Sequence, residues 1–136
     1  MLYMDTSAAA KLYVTETGSR EIESLTERHA SRVFTSLVTY AEVLSVLARS
    51  FREKRLSAAH FRAQKRRFLA HWDALHVVGP SQQLLAPAER LIERHGLRGF
   101  DAIQLCSALW IGNPLFACFD VRLRSAAVAE GLVAVP

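Results

Sequence analysis

An α/β fold around a mostly parallel central sheet of about five strands is the architecture this sequence predicts. Three observations carry that expectation. Short apolar runs alternate with longer segments of helical period along the whole chain. At 136 residues, 51% of them hydrophobic, the chain is long enough for one dense core and short for two. Its mean hydropathy of +0.12 is too high for a disordered chain. Residues 1–136 are therefore expected to form a single domain, free of repeats, linkers and low-complexity tracts.

The elements follow in order. Leu2 to Met4 reads as a first strand, and a helix is expected from about Ser7 to Val14. Gly18 introduces a polar helix running to about His29. Arg32 to Thr35 is the second strand, with Ser36 placed as the cap of the next helix. That helix carries Val43, Leu44, Leu47 and Phe51 as one apolar face. Its partner begins near Ser57, with Phe61, Phe68, Leu69 and Trp72 available for packing. Leu75 to Val78 is the third strand, closed by Gly79-Pro80. Leu84, Leu85, Ala88, Leu91 and Ile92 mark one amphipathic helix that ends at His95-Gly96. Gly99-Phe100-Asp101 opens an apolar helix to about Ile111, and Gly112-Asn113-Pro114 turns it into the strand Leu115 to Phe119. A last helix follows Asp120, and Leu132 to Val135 completes the sheet. Strands alternating with helices in this way predict helices on both faces of a parallel sheet.

Charge narrows the function. Arginine supplies 14 of the 17 basic residues, and the formal net charge is +4. Arg49, Arg52, Lys54, Arg55, Arg62, Lys65, Arg66 and Arg67 face a single acid, Glu53, within one segment. Such a patch suits a polyanion or serves as a solvated helical hairpin. No stretch approaches the roughly 18 apolar residues of a membrane span. The opening MLYMDTSAAAKLYVTE has no basic leader, and Cys106 and Cys118 lack metal-site spacing. A reducing cytoplasm is the expected compartment.

Four acids stand at positions where an apolar core is expected to close. Asp5 follows the first strand and Asp120 the fourth, while Glu42 and Asp101 lie in the first turns of helices. In a parallel sheet, helices leave from the carboxyl edge and return with their N-termini at that edge. All four acids therefore converge on one rim, where open α/β folds bind ligands. Each has a local alternative. Asp5 and Asp120 can cap helices, Asp120 can pair with Arg124, and Arg98 can neutralise Asp101. Glu42 has no basic residue three or four positions away, an expensive placement on an apolar helix. Two carboxylates about 5 Å apart repel by roughly 3 kcal/mol at an effective dielectric of 20. A converging set takes up protons or holds cations, and an all-oxygen site suits Mg²⁺ or Mn²⁺. A carboxylate-held metal beside a basic surface is suited to aiming an activated water at phosphorus.

These residues carry a family resemblance. Asp5-Thr6-Ser7-Ala8 with Lys11-Leu12-Tyr13, Tyr40-Ala41-Glu42-Val43, Arg98-Gly99-Phe100-Asp101-Ala102-Ile103-Gln104-Leu105 and Phe119-Asp120-Val121-Arg122-Leu123 with Ala129-Glu130-Gly131-Leu132 occur in order over nearly the whole chain. The pattern resembles the PIN-domain nucleases, most closely the VapC-type toxins of toxin–antitoxin pairs. Cys106-Ser107-Ala108-Leu109-Trp110 departs slightly from the alanine-rich run usual there. The resemblance implies a PIN-like three-layer α/β/α sandwich and a metal-dependent endoribonuclease. It implies Asp5, Glu42, Asp101 and Asp120 as catalytic and metal-binding acids, with Thr6 and Ser7 in support. Lys11 and Arg98 are placed to touch phosphate, although Arg98 can equally hold Asp101. A cognate antitoxin, a homodimer and an RNA substrate are implied as partners.

Other chemistries lack their parts. A receiver domain needs an acid after the third strand, but Val77-Val78-Gly79-Pro80-Ser81 has none. A haloacid-type phosphatase needs a second aspartate where Ser7 stands. No glycine-rich fingerprint follows a strand, and no nucleophile elbow is present. The competing reading is a non-catalytic RNA- or partner-binding module whose acids are helix caps.

Overall fold

A computed structural model describes all of residues 1–136. Its centre is a five-stranded, wholly parallel sheet: β1 (Leu2–Met4), β2 (Val33–Ser36), β3 (His76–Val78), β4 (Leu115–Ala117) and β5 (Val133–Val135), in the order β3-β2-β1-β4-β5. Leu2 pairs with Val33 on one side and Leu115 on the other. The central strand β1 is buried on both faces, which is why it reads as an unbroken apolar run.

Alternation along β1 divides the core in two. Leu2 and Met4 point to one layer, which holds α1 (Thr6–Ala9), α2 (Ser19–Arg28), α3 (Val38–Arg52) and α4 (Ala58–Trp72). Tyr3 points to the other, with α5 (Gln82–Leu85), α6 (Ala88–His95), α7 (Gly99–Trp110) and α8 (Val121–Ala129). Tyr3 stacks on Phe116 at 5.5 Å between ring centroids. Fully buried side chains such as Leu2, Met4 and Phe116 each stabilise the fold by about 1.5–3 kcal/mol. The three-layer α/β sandwich expected from the sequence is the observed architecture. No helix is long and apolar enough to cross a membrane.

Several local expectations need correction. The first helix stops at Ala9 and tightens into a 3₁₀ turn over Ala10–Leu12. Ser36 is the last residue of β2 and not a cap; Leu37 precedes α3, although the Ser36 hydroxyl accepts from the Val38 N–H at 3.4 Å. The helix expected through Leu84 to Ile92 is two, because Pro87 supplies no N–H and cannot continue α5. β4 ends at Ala117, two residues early, because the Phe119 N–H turns from the sheet to the Ser7 hydroxyl at 2.7 Å. Gly18 has a positive φ of 91°, and a Cβ there would lie 2.5 Å from the Phe119 ring. That close approach packs the segment after α1 against the strand end that leads to Asp120.

Candidate active site

The parallel sheet delivers what its geometry requires. Asp5, Glu42, Asp101 and Asp120 all line one cleft of about 460 Å³ at the carboxyl edge, with Thr6, Ser7, Lys11 and Arg98. Asp5 leaves β1 and caps α1, its Oδ1 accepting from the Ala8 N–H at 2.9 Å. The Ser7 hydroxyl lies 2.7 and 2.9 Å from its two oxygens, and the Cys118 thiol donates to Oδ2 at 3.3 Å. No cation touches it. Asp5 is only 4% exposed, and burial pushes its carboxyl up to about 6 despite those hydrogen bonds. The same burial, with the Asp5 charge beside it, drives the Cys118 thiol far above its ordinary range, so it stays protonated.

Glu42 is neutralised by no cation. The Thr6 hydroxyl donates to its carboxylate, and the Gln104 amide reaches the same oxygen, Oε2, at 3.4 Å. Gln104 is the hub of a buried polar network. Its Oε1 accepts from the Tyr3 hydroxyl at 2.7 Å, and its Nε2 lies 3.0 Å from Thr6 Oγ1 and 2.9 Å from Thr39 Oγ1. The Thr35 hydroxyl donates its one proton to the Met4 carbonyl at 2.7 Å, so Thr39, 2.8 Å away, donates to Thr35. Thr6 spends its proton on Glu42 and must therefore accept from Gln104. The two amide protons go to the nearer hydroxyls of Thr6 and Thr39, with Glu42 a longer, shared contact, and the amide has one orientation, since its oxygen cannot face the carboxylate. Nothing in the sequence around Gln104 announces this; a polar residue inside an apolar helix was the only signal.

Asp101 and Asp120 are tied through Arg98. Arg98 Nε is 3.2 Å from Asp101 Oδ2 and its Nη2 is 3.8 Å from Asp120 Oδ2, while Asp120 Oδ1 caps α8 at the Leu123 N–H. The pairing of Asp120 with Arg124 open in the sequence is replaced by Arg98. Lys11 lines the cleft, but its ammonium is held 2.8 Å from Glu16 Oε1 and 2.8 Å from the Thr17 carbonyl, above the Phe119 ring. It forms a wall of the site, with its charge engaged by Glu16. Arg49 and Arg55, from the basic segment, also line the cleft.

The donor set fits a hard divalent cation in kind: carboxylates backed by hydroxyls, with no histidine in the lining. The crowding expected of four converging acids is relieved in part. No three His, Cys, Asp or Glu side chains come together as a metal-holding group, because caps, hydroxyls and the Arg98 guanidinium satisfy them separately. A cation held by Asp101 and Asp120 would compete with Arg98 for the same oxygens.

Fold and cleft together define a class. The PIN domain family model matches residues 2–129, and the chain belongs to that family. It is homologous to VapC-type toxins: over 138 residues it is 33% identical to Ribonuclease VapC45 of Mycobacterium tuberculosis (strain CDC 1551 / Oshkosh). It is equally similar to Ribonuclease VapC49 of Mycobacterium tuberculosis (strain ATCC 25618 / H37Rv), and each alignment covers 100% of this chain and 95% of the relative. Among solved structures, a chain of a toxin–antitoxin complex from Klebsiella pneumoniae superposes with a TM-score of 0.72 at 18% identity, covering 100% of this chain and 97% of that one. At that identity the likeness is one of fold.

Proposed function

We propose that the protein is a metal-dependent endoribonuclease, the toxin of a toxin–antitoxin pair, acting in the cytoplasm as a single-domain homodimer silenced by a cognate antitoxin. The observation that carries this reading is the convergence of Asp5, Glu42, Asp101 and Asp120 on one cleft in a chain of this family. The likeness to two ribonucleases and, in fold, to a chain of a toxin–antitoxin complex supports it.

Asp5, Glu42, Asp101 and Asp120 would hold Mg²⁺ or Mn²⁺, with Ser7 orienting Asp5 and Thr6 orienting Glu42. When bound, such an ion supplies a Lewis acid that activates water and neutralises charge on the phosphate. Arg98, Arg49 and Arg55 place positive charge beside the acids, where a phosphodiester would sit. Because the ion would supply the nucleophile as an activated water, the ribose 2′-hydroxyl is not needed for attack. Products then carry a 5′-phosphate and a 3′-hydroxyl. Sequencing the ends of a purified digest tests this, and 2′,3′-cyclic phosphates would reject it. Asp101→Asn should abolish cleavage with the fold intact; full activity in that variant removes Asp101 from the site.

The caps at Asp5 and Asp120 favour a second reading, a binding module without catalysis. Titration with Mg²⁺ or Mn²⁺ separates the two. A melting temperature that climbs with cation supports the nuclease, because a ligand bound only by the native state stabilises it. RNA binding with no cation response supports the module.

A further inference from the structure

Gln104 lies among the buried α7 residues Ala102, Leu105 and Ala108 and is itself 2% exposed. An apolar side chain would fill that place without the cost of burying an amide. The amide instead gathers the segments that supply three of the cleft acids. It meets Thr6, which adjoins Asp5, and Thr39, which stands one turn before Glu42 on α3. Gln104 itself stands one turn after Asp101 on α7, so the two lie on one side of that helix.

The direction of the hydrogen bonds decides what the cleft receives. The Tyr3 hydroxyl, fully buried on the central strand, gives its proton to Gln104 Oε1 and so turns the amide nitrogen toward Thr6. Thr6 accepts that N–H and passes its own proton to Glu42 Oε2. A reversed amide would set its oxygen against Thr6 and draw that proton away from Glu42. It would also leave two oxygens facing each other across 3.4 Å. As the chain folds, Oε2 is held by Thr6 with the Gln104 amide as a longer contact, and Oε1 takes no hydrogen bond from the protein. We propose that Gln104 is a positioning residue of the cleft: set by Tyr3 and acting through Thr6, it ties back one oxygen of Glu42 and presents the other to a divalent cation. This rests on the reading of the converging acids as a cation site.

The test uses the full chain and reads Mn²⁺ binding by calorimetry beside the melting temperature in EDTA. Gln104→Met keeps the length of the side chain and loses both N–H groups. It should bind Mn²⁺ about tenfold more weakly, as when a group that orients a metal-holding carboxylate is lost. Thr6→Val should do the same, and Thr6→Ser, which keeps the hydroxyl, should bind like the wild type. Gln104→Met combined with Thr6→Val should be no worse than Thr6→Val alone, because two members of one relay do not add. Tyr3→Phe keeps its ring on Phe116 and should weaken Mn²⁺ binding about threefold, the loss of one hydrogen bond. That loss too should vanish in the Thr6→Val background, so the Tyr3 pair carries the comparison if Gln104→Met does not fold. A lower melting temperature with wild-type Mn²⁺ affinity in these variants would overturn the proposal and make the network a brace of the fold. Losses that add in the double variants would overturn the path through Thr6. A wild-type protein that binds no Mn²⁺ would overturn the cation reading itself, and the proposal with it.

Discussion

Two carboxylates in this molecule are little exposed, and their surroundings treat them in opposite ways. Glu130 follows α8 and is gripped by α6: Arg90 meets it at 2.8 Å, His95 at 2.8 Å and Arg94 at 3.4 Å. The hydrogen bonds from Arg90 and His95, with the positive charge around them, hold its carboxyl down at about 2. Asp5 is the more deeply placed and has hydroxyl, thiol and backbone donors but no cation, and burial pushes it up to about 6. Glu130 is an acid used to join two helices. Asp5 is an acid to which the chain itself brings no cation. A site can be told from a staple by whether the protein neutralises its own buried charge.

The largest expected effect is at Asp5. Moving a carboxyl from its ordinary 3.8 to about 6 costs the ionised form on the order of 3 kcal/mol. Asp5→Asn removes that burden and keeps an oxygen to cap α1. In EDTA at pH 7.5 the variant should melt roughly 5 °C higher than the wild type. Cleavage should fall by a factor on the order of 10²–10³, because the charge stabilisation lost with the cation is worth several kcal/mol. Mn²⁺ should raise the melting temperature of the wild type and leave the variant unmoved. A variant that is both less stable and fully active would erase the contrast with Glu130.

Acid sharpens it next, since the two groups depend on pH with opposite sign. Glu130 binds its proton less tightly folded than unfolded. Its contribution is complete above its ordinary 4.5 and is lost as pH falls toward about 2. Asp5 binds its proton more tightly folded. Its contribution is complete below 3.8 and is lost as pH rises through about 6. Urea unfolding in EDTA at successive pH values reads both. The advantage of Asp5→Asn over the wild type should grow between pH 4 and 6 and then level off. Glu130→Gln should lower the melting temperature by a few degrees at neutral pH, with the deficit closing as the wild type is acidified. Activity in Glu130→Gln should stay within about threefold of wild type, as for a surface-facing pair away from the cleft. An activity loss as deep as that of Asp5→Asn would show that the α6–α8 staple works through the cleft.

What the sequence exposed and what it hid divide along sequence separation. Asp5 and Asp120 were visible because each stands just past a strand, and strand order places them without knowledge of any contact. Glu42 was visible through a missing local counter-ion. The partners that set the chemistry were not visible. Gln104 lies 62 residues from Glu42, and Tyr3 lies 101 residues from Gln104. Arg90 and Glu130 are 40 apart, and neither end carries a local signal. The split between α5 and α6 was legible, since Pro87 stands in plain view, but the run of apolar positions across it matched one helix too well. Ser36 misled for the converse reason: a serine before a helical period has the composition of a cap, and its place in the sheet is fixed by pairing with Val78. Local chemistry located the acids, and only the folded chain shows what holds them.

The smallest expected effect, and the finest probe of the comparison, is at Arg98. It is the cation the chain places against Asp101 and Asp120, bridging the two, and its side chain is 79% exposed. An exposed pair of this kind is weak, so a divalent ion can displace it. Arg98→Gln removes the competitor and should tighten Mn²⁺ binding about two- to fivefold by calorimetry, with RNA affinity in EDTA falling slightly as one positive charge is lost. The opposite sign is equally readable. Should Mn²⁺ bind more weakly to Arg98→Gln, the arginine holds the two carboxylates in place for the ion, and that part of the cleft resembles the Glu130 staple. Arg98→Lys separates charge from fork geometry: a single ammonium keeps the competition but cannot span both acids. Mn²⁺ affinity in the lysine variant should stay near wild type if Arg98 is a rival for the oxygens, and fall with the glutamine variant if it is their brace.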